Sequence, residues 1–236
     1  MRKHRQGWDY FDKIYCISVN ERADRRVEAQ IQFKTVGLGD SVEFIIVSKH
    51  PHNCEEGIFH SHMDCLRKGL QAGADSIVVF EDDILFDRFD IKGLKNCIDF
   101  LSGIDPWNAL FFGCLVSRSQ KTGNPSVVKI DYRCSAHAYV VNRHFAETLI
   151  RIPWQGVAYD DVLKNWPDCY AAYPAFAFQS NSPTDNDRNI GLDRIRRLLG
   201  GIQRIQKRNE FYHRHKIPII AVHSIIILVI VKQVFL

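Results

Sequence analysis

The sequence predicts an α/β fold, a single Rossmann-like domain carrying a basic amphipathic and hydrophobic C-terminal tail. Three observations predict the α/β body. Apolar, β-prone runs alternate with segments of helical period along residues 13–141. One of those runs, Ser76 to Phe80, is almost continuously apolar, as expected of a strand covered on both faces in a parallel sheet. The chain has 236 residues, 46% hydrophobic and 25% charged, enough to bury a core and unlike disordered, collagen-like or polytopic membrane sequences.

In chain order, Lys13 to Val19 reads as the first strand, and Ala23 to Val36 as a helix with Val27, Ile31 and Val36 inward. Val42 to Val47 is the second strand. Ile58 to Ala72 is helical, since Met63, Leu66 and Leu70 recur at three- and four-residue spacing and Gly73 stands where a helix end favours glycine. Ser76 to Phe80 is the third strand, Ile91 to Leu101 a helix, and Ala109 to Phe112 and Ala136 to Val141 two further strands. Functional loops are expected at the carboxyl ends of these strands.

The termini differ in character. No long apolar run follows the basic N-terminus, because Asp9, Asp12 and Lys13 interrupt it, so no signal peptide is expected there. Residues 217–236 are nearly all apolar and, as a helix rising roughly 1.5 Å per residue, would be about 30 Å long, enough to cross a bilayer core. A buried β-rich segment is the alternative, given its Ile and Val content. Residues 188–216 hold nine Arg and Lys against Asp193 and Glu210, leaving residues 1–187 mildly acidic in a chain of net charge +4. Within that stretch Leu192, Ile195, Leu198, Leu199, Ile202 and Ile205 recur at helical spacing among Arg194, Arg196, Arg197, Arg204, Lys207 and Arg208. The expected organisation is therefore a domain over 1–187, a basic amphipathic helix over 188–216 and a membrane-associated helix over 217–236, with the body on the cytoplasmic side. Nucleic acid is not expected as a partner, because the basic run lacks interleaved aromatics. Seven cysteines without a CxxC pair read as reduced thiols.

The sharpest chemical signal is Glu81-Asp82-Asp83 at the end of the third strand. Carboxylates a few Å apart resist joint ionisation, and a divalent cation removes the conflict. Along extended backbone Glu81 and Asp83 share a face while Asp82 points away. Hard oxygen ligands suit Mg²⁺ or Mn²⁺. A solvated acidic turn is the alternative. A second cluster, His50, His52, Cys54, His60, His62 and Cys65, offers zinc-type ligands at a spacing that matches no familiar zinc module. His62 alone reads as a hydrogen-bonded core residue with a positioning role. Ser18, Ser61 and Ser135 lack a nucleophile elbow, and neither a P-loop nor GxGxxG is present.

These landmarks, taken in order, resemble glycosyltransferase family 25, which includes lipooligosaccharide and collagen galactosyltransferases. Ile17-Ser18-Val19-Asn20 with Arg22, Arg25 and Arg26 is similar to its opening strand and arginine-rich turn. Gly57 through Ser61-His62, Ala74 through Ile84, Leu110 to Gly113, Ala138 to Arg143 and Asp160-Asp161-Val162-Leu163 follow its later pattern. The chain departs from that pattern at Ser48 to His52, at Asn142 where serine is usual, and in a short linker before Gly57.

The resemblance implies a GT-A fold, a nucleotide-sugar donor, a divalent metal and inversion at the anomeric carbon. On that reading Asp83 holds the metal with Glu81 or Asp82 assisting, and Asn20, Arg22 and Arg26 contact the nucleotide. Asp160, then Asp161, is the expected base for the acceptor hydroxyl. The acceptor is a glycan or a lipid-linked surface saccharide, with galactose as the sugar the family suggests. A catalytically silent GT-A-like module binding carbohydrate or a partner is the competing expectation.

Overall fold

The structure is a computed structural model and describes residues 7–181, 191, 196, 198 and 200–235. Its strands are β1 (Lys13–Val19), β2 (Glu43–Val47), β3 (Ser76–Glu81), β4 (Ile84–Phe86), β5 (Ala109–Phe111), β6 (Leu115–Lys121), β7 (Val127–Cys134), β8 (Ala138–Asn142), β9 (Cys169–Ala172) and β10 (Ala177–Gln179). The helices are α1 (Ala23–Thr35), α2 (Cys54–Gln71), α3 (Ile91–Gly103), α4 (Arg143–Leu149), α5 (Tyr159–Val162) and α6 (Gly201–Phe235).

Eight strands form one sheet in the order β2-β1-β3-β8-β5-β9-β7-β6, and β4 pairs with β10 in a separate ribbon. The expected parallel sheet is instead mixed. β1 runs parallel to β2 and β3, but β3 pairs antiparallel with β8, and a long antiparallel hairpin, β6 with β7, occupies one edge. β3 is nevertheless central and covered on both faces. Val78 and Phe80 pack with Trp8, Phe33 and Leu94 on one side, while Ile77 and Val79 pack with Phe59, Met63 and Leu66 on the other. This alternation is what a strand's two-residue side-chain period produces when helices cover both faces.

α1 is rotated from its expected orientation. Val27 and Ile31 face solvent, at 62% and 55% exposure, whereas Arg25, Ala29 and Phe33 are buried. These three lie four residues apart on one stripe, and Phe33 brings an aromatic ring to within 5.3 Å of the Phe80 ring centroid. The larger buried surface of Phe33 outweighs that of two β-branched residues, so the stripe containing it turns inward.

α2 begins a turn earlier than its apolar spacing suggests, because Asn53 accepts hydrogen bonds from the Glu55 and Glu56 amides and so caps it. Gly69 lets α2 approach the sheet closely: a Cβ there would lie 2.5 Å from Ile77 Cδ1. Asn142, where serine was expected, caps α4 through the Phe145 amide at 2.7 Å, a role the two residue types share.

The first half of α6 is docked on the body. Asn209 pairs with both backbone groups of Val116 on the edge strand β6, and Gln206 donates to Ala177 O at 2.9 Å. Lys207 pairs with Asp87, and Glu210 accepts from Arg88 and from the Ala175 amide. Backbone geometry departs from helical at His215, three residues before Pro218, whose missing N–H leaves the Arg214 carbonyl without its helical partner. Beyond that point α6 projects from the body with Ile225 to Val231 exposed, and it is long and apolar enough to cross a membrane. Leu192, Ile195, Leu199, Arg194 and Arg197 of the expected amphipathic helix lie outside the described residues.

Candidate active site

A cleft of about 300 Å³ opens at the carboxyl ends of β1, β2 and β3. Its floor is the β3 exit, one wall is the N-terminal half of α2, and the opposite wall is the Cys134–Ala136 turn with α5. The three consecutive acids divide between two environments. Asp82 is buried, accepts from Ser18 Oγ at 2.7 Å and lies 3.4 Å from Arg25. Glu81 and Asp83 face the cleft together and share one donor, Gln179 Nε2 on β10, at 3.4 and 3.5 Å.

Burial, followed by the neighbouring carboxylates, pushes Glu81 up to about 7 and Asp83 up to about 8. Asp83 Oδ1 is buried without a hydrogen-bond partner among the described residues. An orphaned hard oxygen beside a second carboxylate fits a divalent cation such as Mg²⁺ or Mn²⁺, which typically binds one or two protein carboxylates and fills its remaining positions with water or phosphate oxygens. Among the described residues, no three His, Cys, Asp or Glu side chains converge as a metal group. That includes the histidines and cysteines between His50 and Cys65; a cation held by the pair at β3 would take its remaining ligands from solvent or another molecule.

His62 reaches this floor from α2. Burial holds its ring down to about 3, so it is neutral. Its Nε2 lies 3.3 Å from Glu81 Oε1 and its Nδ1 lies 2.9 Å from Tyr139 Oη. A neutral ring beside a carboxylate carries its proton on Nε2 and donates to Glu81, leaving Nδ1 to accept from Tyr139. Tyr159 stacks on the ring at 4.0 Å and hydrogen-bonds Tyr139 at 2.8 Å. Burial raises both phenols, which therefore stay protonated. Glu81 is thus oriented by a packed chain of three side chains.

Asp160 lines the far wall. Its Oδ1 accepts from Tyr132 Oη and the Ala136 amide, and its Oδ2 accepts from the Ser135 amide at 3.1 Å. Ser135 has φ 76°, a left-handed conformation that costs a non-glycine residue roughly 1–2 kcal/mol and that this carboxylate helps to hold. Two acceptances saturate Oδ1, whereas Oδ2 keeps one lone pair.

Four residues expected at the site lie elsewhere. Asp161 is exposed and pairs with Lys164, because successive residues on the short α5 point in different directions. Arg22 holds Asp24 through two hydrogen bonds. Arg26 donates to Ser18 Oγ, Val19 O and Asn20 O, closing the end of β1. Asn20 is exposed, its amide bonded to Val47 O. Arg25 is the arginine of this turn that lines the cleft, together with Lys49 and, from the C-terminal region, Arg196. Gln179 and Tyr132 carry no sequence signal, since their roles depend on strands with no strong pattern, and Ser135 stands out in the sequence only as a serine without a nucleophile elbow. Tyr159 had one signal, its position directly before Asp160.

No family model matches the chain, and no curated protein matches it. Similar solved structures include A197 from STIV, with TM-score 0.46 and 15% identity over 70% of this chain and 83% of that one. HddC from Yersinia pseudotuberculosis aligns with TM-score 0.37 and 15% identity, covering 71% and 72% of the two chains. A mannose-1-phosphate geranyltransferase from Thermus thermophilus aligns with TM-score 0.35 and 10% identity, covering 66% of this chain and 58% of that one.

Proposed function

We propose that this protein is a membrane-associated, metal-dependent glycosyltransferase with a GT-A-like fold, similar to family 25, moving a sugar such as galactose from a nucleotide-sugar to a glycan or lipid-linked acceptor with inversion. The observation that carries this reading is the pair of cleft-facing carboxylates, Glu81 and Asp83, both pushed above their ordinary range, with Asp83 Oδ1 unpartnered among the described residues. Asp83 and Glu81 would hold the cation, and the cation supplies charge neutralisation for a departing diphosphate.

The protein's own groups supply the rest. His62 and Gln179 fix the direction of the two carboxylates. Lys49, Arg25 and Arg196 give the cleft cationic walls suited to phosphate. Asp160 Oδ2, with its remaining lone pair, takes the proton of the acceptor hydroxyl. The cytoplasmic side of a membrane is the location this reading assigns, since that is where nucleotide-sugars meet a helix flanked by basic residues.

The test is release of nucleoside diphosphate from UDP-sugars with Mn²⁺. Asp83→Asn should lower turnover by at least about a hundredfold, the scale of losing a metal's charge stabilisation, and intact turnover would remove the metal assignment. One observation favours a second reading. Three donors already occupy Asp160, as in a group that stabilises a loop, so a silent module binding carbohydrate or a partner through the same cleft remains in competition. It predicts donor binding by calorimetry with no diphosphate release.

A further inference from the structure

A second cavity, of about 930 Å³, lies between the β6–β7 hairpin and α6, at the point where that helix leaves the body. Its position is distinctive: the lining runs from Gln206 on the docked half of α6 to Ile217 and Pro218 at the start of the apolar half. One wall is apolar, formed by Val116, Val127 and Val128. The lining includes three cations, Lys121, Arg214 and Lys216; Arg214 lies over the Tyr173 ring at 5.8 Å, and among the described residues none of the three has a carboxylate within ion-pair distance. The one acid in the lining, Glu210, is already held by Arg88 at 3.0 Å and by the Ala175 amide. Gln206, also in the lining, is 1% exposed, and its Oε1 is buried with no partner among the described residues.

Resting on the membrane association proposed above, we infer that this cavity binds the headgroup of an anionic glycerophospholipid from that membrane. The lipid phosphate pairs with Arg214, Lys216 and Lys121, and its chains run beside the exposed Ile217 to Val231 segment. A headgroup hydroxyl donates to Gln206 Oε1, which satisfies an acceptor that otherwise bears the cost of burial without a bond. Charge selects the lipid, because cations near an anionic surface attract it while the Val116 wall accepts the glycerol and upper chain. The site is separate from the cleft, and binding there tethers the body at a fixed depth.

The test uses the full chain in neutral detergent, titrated with phosphatidylglycerol, phosphatidylcholine or inorganic phosphate and read by thermal unfolding. Phosphatidylglycerol should raise the midpoint, and the other two should not. Arg214→Gln with Lys216→Gln should weaken the apparent phosphatidylglycerol affinity by roughly thirtyfold, about fivefold per cation. Arg208→Gln, an exposed cation of the same helix outside the cavity, should leave it unchanged. Equal stabilisation by phosphatidylcholine or by free phosphate overturns the proposal, as does an equal loss with Arg208→Gln, which would indicate diffuse surface charge. Retention of the response in the double variant also overturns it. Flotation on phosphatidylcholine vesicles scores membrane entry separately, so failure of the anchor is distinguishable from failure of the headgroup site.

Discussion

Asp83→Asn should stabilise the metal-free protein at pH 8 while removing its response to a divalent cation. The sign follows from the direction of the shift. A carboxyl raised from 3.8 to about 8 is protonated in the folded state and ionised in the unfolded state across that interval, so stability falls as pH rises from about 4 to about 8. At 1.36 kcal/mol per pH unit the full displacement corresponds to about 6 kcal/mol, and access of the carboxylates to the open cleft screens this to about 2 kcal/mol. For a chain of this size 1 kcal/mol moves the melting midpoint by about 2–4 °C, so the variant should gain about 4–8 °C at pH 8 and almost nothing at pH 4. The assay is thermal unfolding in chelator at the two pH values, then with Mn²⁺ added. Mn²⁺ should raise the wild-type midpoint at pH 8 and leave Asp83→Asn where it was. A variant that melts lower than wild type at pH 8, or gains equally at both pH values, would refute the claim that Asp83 is a buried charge awaiting a cation.

Three further outcomes test the scaffold. Phe33→Ala should cost about 3–5 kcal/mol in denaturant unfolding, and Ile31→Ala on the same helix less than about 1 kcal/mol, which checks the rotation of α1. Gly69→Ala should destabilise by about 1–3 kcal/mol, because the added methyl meets Ile77, and Ile77→Val should recover part of that loss. Arg25→Met leaves Asp82 buried against Ser18 alone; unfolding at pH 7 should show a loss of about 2–4 kcal/mol that shrinks when Asp82→Asn is added.

The strands and helices legible in the sequence were those whose burial is simple. β1 and β3 are covered on both faces and carry uninterrupted apolar runs, and α3 carries one clean apolar stripe. The β6–β7 hairpin was not legible, because β6 is a half-exposed edge strand reading LVSRSQK, with Ser117, Arg118, Gln120 and Lys121 all exposed. β4 and β10 are three residues each, too short for any period to register. The acidic floor was legible because three carboxylates at the end of an apolar strand are costly wherever they fall. Which arginine faces the cleft was not, since Arg25 and Arg26, following Arg22 just ahead of the helix, differ only in their angle around α1, and Phe33 sets that angle from about two turns away.

The docked half of α6 bears on the cleft as well as on the apolar segment that follows it. Lys207 and Gln203 hold Asp87, and Glu210 holds Arg88, so the segment leaving β4 is gripped at two adjacent residues. Gln206 holds Ala177 at the start of β10, and β10 carries Gln179, the donor shared by Glu81 and Asp83. Gly113 allows β10 this close an approach to the main sheet, since a Cβ there would lie 1.8 Å from Ala177 O. Glu81 and Asp83 are therefore two short links from the helix that continues into the apolar segment. Because those links are hydrogen bonds between packed elements, the cleft keeps a fixed relation to the start of that segment. Removing α6 would on this argument disturb Gln179 and, with it, the orientation of Glu81 and Asp83.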